Sequence, residues 1–380
     1  MLSAVLHWWQ NIKAYLVLED GTTFEGEGHG APAEVTKEVV FNTGMVGYPE
    51  ALTDPSYNGQ ILVQTYPLIG CYGVPSMSVR DAYGLPVHFE SERAQVSGYV
   101  IYEMQRHPSH WTSSTDLDSW LREQGIPVIS GIDTRELTKR LRTKGTMLGT
   151  LSVGREAPPA PPTGVIPDGS PRAGASHVKN VTIGAPTIYN ASCKKTVVMI
   201  DCGTKYGILR GVVERSLKVV RLPYDSSLEQ VLSYKPDGVV ISNGPGDPKD
   251  CAPTIATTKG LMECRIPIMG ICLGNQILAL AAGADTFKLP YGHRGQNQPC
   301  VDTKTGRCYI TSQNHGYAIK GESLEGTCFS ISFKNANDGT VEGITHSNQP
   351  IFGVQFHPEA RPGPGETGYL FDEFIRRFSQ

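Results

Sequence analysis

Residues 266–283, IPIMGICLGNQILALAAG, constrain the fold more than any other part of the chain. The apolar run Ile266, Pro267, Ile268 and Met269 reads as a buried strand, Gly270 permits a sharp turn, and residues 276–280 are good helix formers. Cys272 falls at the turn, inside a G-x-nucleophile-x-G pentapeptide, Gly270 to Gly274. Glycines there admit a strained backbone that throws a side chain out at the end of a sheet, beside a helix N-terminus. Unpaired N–H groups and the positive helix end favour the attacking thiolate and can hold an oxyanion. A buried, inert cysteine fits the same pentapeptide, so a base has to be found elsewhere.

The chain has 380 residues, which points to two domains joined by a linker. A net charge of -3 gives no basic footprint for nucleic acid or for an anionic membrane. Nine scattered cysteines contain no C-x-x-C pair, so neither a disulfide framework nor a zinc site is expected. That usage suits a reducing, cytosolic compartment. The apolar opening stretch carries Pro267, Asn275 and Gln276 and is broken by glycines, so strand, turn and helix explain it better than a membrane span. The first 15 residues read as a lead-in to the first strand.

In the first half, residues 14–19, 39–41 and 97–102 read as strands, and glycine and proline make residues 43–86 loop-rich and mostly β. Residues 115–123 form a helix with Thr115 as its cap, and Asp133 or Thr134 caps another through residue 142. Residues 126–129 suit an edge strand, because Pro127 cannot donate to a ladder. Composition shifts after Leu151, and the proline-rich residues 156–176 cannot bury enough apolar surface to order themselves. The expected division is a β-rich α+β domain over 1–152, a linker and lead-in over 153–193, and an α/β domain over 194–380.

The second half alternates strands (196–200, 217–222, 238–241) with helices such as 205–214. This implies a parallel sheet covered on both faces, with its site at the strands' carboxyl ends. Strand-like pieces follow (308–311, 328–333, 341–345, 351–356), and a helix over 369–378 closes the chain. Among ten histidines, His357 falls where the strand 351–356 ends, on the same rim as Cys272. Glu359, two residues on, can set its tautomer and basicity. A surface histidine beside a solvated glutamate is the bland alternative, and it loses ground once Cys272 is counted. Two further segments follow strands: 242–248 (SNGPGDP), whose glycines let N–H groups approach a reacting oxygen, and the polar 312–317 (SQNHGY). His315 is an alternative base, but no acidic orienter follows it.

Taken together, the pentapeptide at Cys272, the Asn243-Gly-Pro-Gly-Asp247 turn and Phe356-His-Pro-Glu359 resemble a class I, triad-type glutamine amidotransferase. The first half, through Val40-Phe-Asn-Thr-Gly-Met-Val-Gly-Tyr48, Leu52-Thr-Asp-Pro-Ser-Tyr57, Tyr66-Pro-Leu-Ile-Gly70 and Gly131-Ile-Asp-Thr-Arg-Glu-Leu137, resembles the domain peculiar to the carbamoyl-phosphate synthase small chain. The resemblance implies Cys272 as nucleophile, His357 as base and Glu359 as orienter. It places L-glutamine against Ser56, Gly244, Gly246, Leu273, Gln276, Asn314, Gly316 and Tyr317.

The same resemblance implies hydrolysis of glutamine and delivery of ammonia to a large synthetase portion, a separate chain or one fused downstream. That portion makes carbamoyl phosphate from bicarbonate for pyrimidine or arginine synthesis. No metal or cofactor is expected in this chain, and ATP and Mg2+ belong to the partner. Asn275 departs from the family, which usually has histidine there; asparagine cannot titrate, so altered glutamine affinity or coupling is expected. Rival readings are the glutaminase component of another synthase, an inactive scaffold, and a stand-alone cysteine hydrolase of γ-glutamyl compounds.

Overall fold

The computed structural model describes residues 12–161 and 176–379. Part of the proline-rich linker and the N-terminal lead-in lie outside the described residues. The chain divides into two compact units, and the division is not one cut: residues 54–56 and 80–91 group with the second unit, the remainder of 1–172 with the first.

The first unit is built on a closed barrel whose strands run, in order, Lys13–Leu18, Thr23–Gly30, Pro127–Ser130, Gly98–Val100, Gln60–Gln64, Glu34–Asn42 and Met147–Val153. Closure leaves no exposed edge. Three neighbouring contacts, from Glu34–Asn42 round to Pro127–Ser130, are parallel and the others antiparallel. The Pro127 strand is therefore an interior member, not an edge. Pro127 is its first residue, opposite the last residue of its partner, Gly30, where a missing donor costs the ladder little. The helix Leu117–Glu123 is capped by Asp116, one residue beyond Thr115: its carboxylate accepts from the Ser119 amide at 2.8 Å and the Ser119 hydroxyl at 2.8 Å. Asp133 caps Thr134–Lys144.

In the second unit, strands Lys218–Pro223, Thr196–Asp201, Gly238–Ile241, Ile268–Ile271 and Ile351–Val354 form a parallel block. Antiparallel strands extend it on both sides to ten: Thr187–Tyr189 at one end, then Val341–His346, Cys308–Ile319, Thr286–Asp302 and Phe329–Asn335 at the other. Successive residues of the parallel strands alternate between two cores. Val198, Ile200, Val239 and Ile268 join Leu261, Ile277 and Leu278, whereas Val197, Met199, Val240 and Met269 join Leu209, Val212, Phe371 and Phe374. Helices therefore cover both faces, as the unbroken apolar strands require.

Candidate active site

The parallel register aligns the ends of three strands: Ile241 pairs with Gly270, and Ile271 with Val354. Chain segments leaving those strands meet at one rim. Cys272 adopts φ 54° and ψ -104° and stands at the N-cap of the helix Leu273–Ala281, its amide tied to the Val354 carbonyl at 2.8 Å. Both flanking glycines are obligatory. A Cβ on Gly270 would lie 2.5 Å from the Gly274 carbonyl oxygen, and one on Gly274 would lie 2.1 Å from that of Ile241.

Three residues past Val354, the chain delivers His357, whose amide donates to Ser312 O at 2.9 Å. His357 is buried, and its Nδ1 stands 2.8 Å from Glu359 Oε1. The same oxygen accepts from Lys205 Nζ at 2.9 Å, and Lys205 also donates to Arg361 O at 2.8 Å. Burial works to lower the imidazole's pKa, but the Glu359 carboxylate and the hydrogen bond with the Cys272 thiol together outweigh it, leaving His357 raised above its ordinary value. Burial would raise Glu359, yet Lys205 and His357 hold it well below the ordinary carboxylate range. A carboxylate held ionised therefore faces Nδ1, while Nε2, which makes no hydrogen bond of ordinary geometry, is left for proton transfer.

The Cys272 sulfur also contacts Asn314 O at 3.7 Å and the Gln355 side-chain amide at 3.6 Å. Asn314 donates to Asp54 Oδ2 at 2.9 Å, and Asp54 Oδ1 accepts from the Ser56 amide at 2.9 Å. The Ser56 hydroxyl accepts from Asn243 at 3.0 Å, and Asn243 Oδ1 accepts from the Lys205 amide at 3.0 Å. Ser56 and Asn314 thus belong to one hydrogen-bonded rim. Gly244 packs beneath Leu273: a Cβ there would lie 2.1 Å from Cys202 O and 2.8 Å from a Leu273 methyl. Gly246 turns with φ 87°. Gly316 and Tyr317 continue the Asn314 strand, and Gln276 donates to Tyr317 O at 2.7 Å and to Gln355 at 3.0 Å. Asn275 is fully buried beside Gly353 and neither polar atom of its side chain has a partner.

Sequence reasoning missed Lys205, Asp54 and Gln355. Lys205 had a usable signal, since it follows the end of the Thr196–Asp201 strand as Cys272 and His357 follow theirs. Gln355 is the one amide in an otherwise apolar run.

Residues 198–377 match the family described as Glutamine amidotransferase class-I, and residues 16–151 match Carbamoyl-phosphate synthase small chain, CPSase domain. The chain is 47% identical over 366 residues to the carbamoyl phosphate synthase arginine-specific small chain of Chaetomium globosum, covering 96% of this chain and 78% of that one. The chain belongs to the carbamoyl phosphate synthase small chain family. The small chain of Methanopyrus kandleri is 45% identical, covering 96% of this chain and 98% of its own length. The multifunctional protein CAD of Squalus acanthias is 47% identical over 95% of this chain, which spans only 16% of that protein. Small chains of this family thus occur both alone and within a longer polypeptide.

Proposed function

We infer that this chain is the glutaminase component of carbamoyl phosphate synthase, releasing ammonia from L-glutamine for an ATP-dependent synthetase portion that makes carbamoyl phosphate from bicarbonate. The observation that carries the reading is the buried relay from Lys205 through Glu359 to His357, beside a cysteine held in a strained elbow. In this reading His357 Nε2 takes the thiol proton, and the Cys272 sulfur attacks the side-chain amide carbon of glutamine. The oxyanion is held by N–H groups of the first turn at Leu273 and of the Gly244 turn. His357 then gives its proton to the departing ammonia and activates water against the thioester. Ser56, Gly246, Asn314, Gly316 and Tyr317 line the glutamine pocket, with Gln276 exchanging its present partners for substrate.

The chemistry draws on no cofactor of this chain, and ATP and Mg2+ act in the synthetase portion. A cytosolic location goes with it: all nine cysteines are free thiols, and among the described residues no helix is long and apolar enough to cross a membrane. The test is ammonia release from glutamine by wild type and Cys272→Ala, with and without the synthetase chain. Wild type releases it slowly alone and much faster with the partner, and Cys272→Ala loses roughly 10³-fold or more. Equal turnover by Cys272→Ala overturns the catalytic assignment, and silence from both proteins leaves an inactive scaffold.

A further inference from the structure

Cysteine spacing offers no metal site, but a cluster without cysteine does. His293 on the strand Thr286–Asp302, His315 directly opposite on Cys308–Ile319, and Glu342 on Val341–His346 are all buried. One ligating atom from each lies within 4.8 Å of the others. The two imidazoles stand edge to face, 5.0 Å apart.

Counting hydrogens shows why these groups are unusual. His315 Nδ1 lies 2.7 Å from the Tyr317 carbonyl, which can only accept, so Nδ1 carries the proton. Its Nε2 then faces the Gln313 side-chain oxygen at 3.0 Å, lone pair against lone pair. Turning that amide round does not help, because Gln313 Nε2 already donates to Glu342 Oε2 at 2.9 Å. On the other imidazole, His293 Nε2 stands 2.9 Å from Asp338 Oδ2 and carries the proton there. Its buried Nδ1 has no hydrogen bond and faces Glu342 Oε1 at 3.4 Å. The remaining hydrogen bond to Glu342 comes from Asn335, at 3.1 Å on Oε1. With each imidazole carrying a single proton, acceptors therefore outnumber protons around one small volume.

A divalent cation resolves that excess in one step. Each histidine already has its outward nitrogen fixed by a carboxylate or a backbone carbonyl, the outer-shell arrangement that orients a metal-binding imidazole, and Glu342 is held by two amides. The contacts of 3.0 and 3.4 Å bracket the roughly 3.3 Å between ligand atoms of a tetrahedron about 2.0–2.1 Å from its ion. Two imidazoles and a carboxylate suit zinc better than calcium or magnesium, and Asp338 and Glu342 balance its charge.

We propose that His293 Nδ1, His315 Nε2 and Glu342 Oε1, with the Gln313 side-chain oxygen, bind one zinc-class divalent ion that pins three antiparallel strands. One of them carries Asn314, Gly316 and Tyr317. This site is separate from Cys272 and does not depend on the glutaminase reading. It is tested on the full chain, stripped with chelator and titrated with Zn2+, with metal content measured by mass spectrometry and thermal unfolding followed with and without the ion. Wild type takes up one ion per chain and melts at higher temperature with it. His293→Asn and Glu342→Gln, checked to be folded by their own melting transitions, lose affinity at least about 10-fold. Cys272→Ser, which removes any thiolate and imidazole pairing with His357, keeps the ion. The proposal is overturned if folded wild type binds no Zn2+ at micromolar concentration, or if the ion is lost from Cys272→Ser and kept by His293→Asn.

Discussion

The barrel unit and the sheet unit solve the same backbone problems with different residues. Among the described residues the barrel has no non-glycine residue at positive φ, whereas the sheet unit has six: Asn190, Ser216, Lys235, Arg265, Cys272 and Ala360. Ser216, Lys235 and Arg265 each follow the end of a helix, where left-handed closure is common and cheap. Cys272 does the opposite, taking positive φ where a helix begins. Charge follows the same division. Barrel pairs such as Lys13 with Glu25 and Lys144 with Asp20 are at least partly exposed and contribute little. The sheet unit buries Lys205 with Glu359 and Arg221 with Asp201, where removing one partner strands a charge. Where the barrel spends its sequence on closure, the sheet unit carries strain and buried charge at one rim, the pattern expected where residues are held for chemistry.

Glu359→Gln probes that contrast with the largest effect. It removes the charge that raises His357 and leaves Lys205 without its carboxylate, so kcat for glutamine falls by about 10²–10⁴. The alkaline limb of the pH profile, where His357 loses its proton, moves to lower pH, because the carboxylate that held the proton on is gone. An unmoved limb would separate Glu359 from the base. Next comes a matched pair of glycines. A Cβ on Gly274 or on the barrel's Gly26 would each lie 2.1 Å from a backbone carbonyl oxygen, Ile241 and Ser130 respectively. Alanine at either place lowers stability by about 3 kcal/mol or more in denaturant melts. Only Gly274→Ala also lowers the turnover of the protein that remains folded. Equal losses of turnover would erase the distinction between closure and chemistry.

Much of this rim was legible because its signals are local. An apolar strand, a glycine turn and a polar residue just past the strand end mark Cys272 and His357, and residues 196–200 and 238–241 of the parallel strands show as continuous apolar runs. The helix Ala252–Glu263 went unread because threonine does its packing: Thr254, Thr257 and Thr258 are buried, and their hydroxyls satisfy themselves on Tyr224 O, Ser226 O and Thr254 O. That leaves almost no apolar stripe to detect. The 17-residue strand Thr286–Asp302 escaped for a related reason, since its register shifts twice against its partner and breaks the two-residue alternation. Lys205, Glu359 and Asp54 are brought together only by the fold, and no spacing in the chain records that.

Glu90 gives a smaller effect that sharpens the charge side of the comparison. It is fully buried and accepts from the Gly207 amide at 2.8 Å. Burial pushes its pKa up to about 7, against Lys205 and with Glu359. The folded state therefore holds a proton that the unfolded chain releases near its ordinary value, so this carboxyl's contribution to stability falls as pH rises through that window to about 7. Glu90→Gln should flatten the decline in melting temperature between about pH 5 and about pH 8. A decline as steep as that of wild type would mean that Glu90 is ionised throughout.

The smallest effect belongs to the barrel unit. Asp116 caps the helix Leu117–Glu123 through two bonds to Ser119, a local interaction between partly exposed groups. Asp116→Ala should cost about 1 kcal/mol in thermal or denaturant melts, and kcat for glutamine should not change, because the cap orders one helix and holds no charge against a reacting atom. A loss of turnover larger than the loss of folded protein would show that chemistry depends on the barrel's local order, and the division between a unit built for closure and one built for reaction would have to be redrawn.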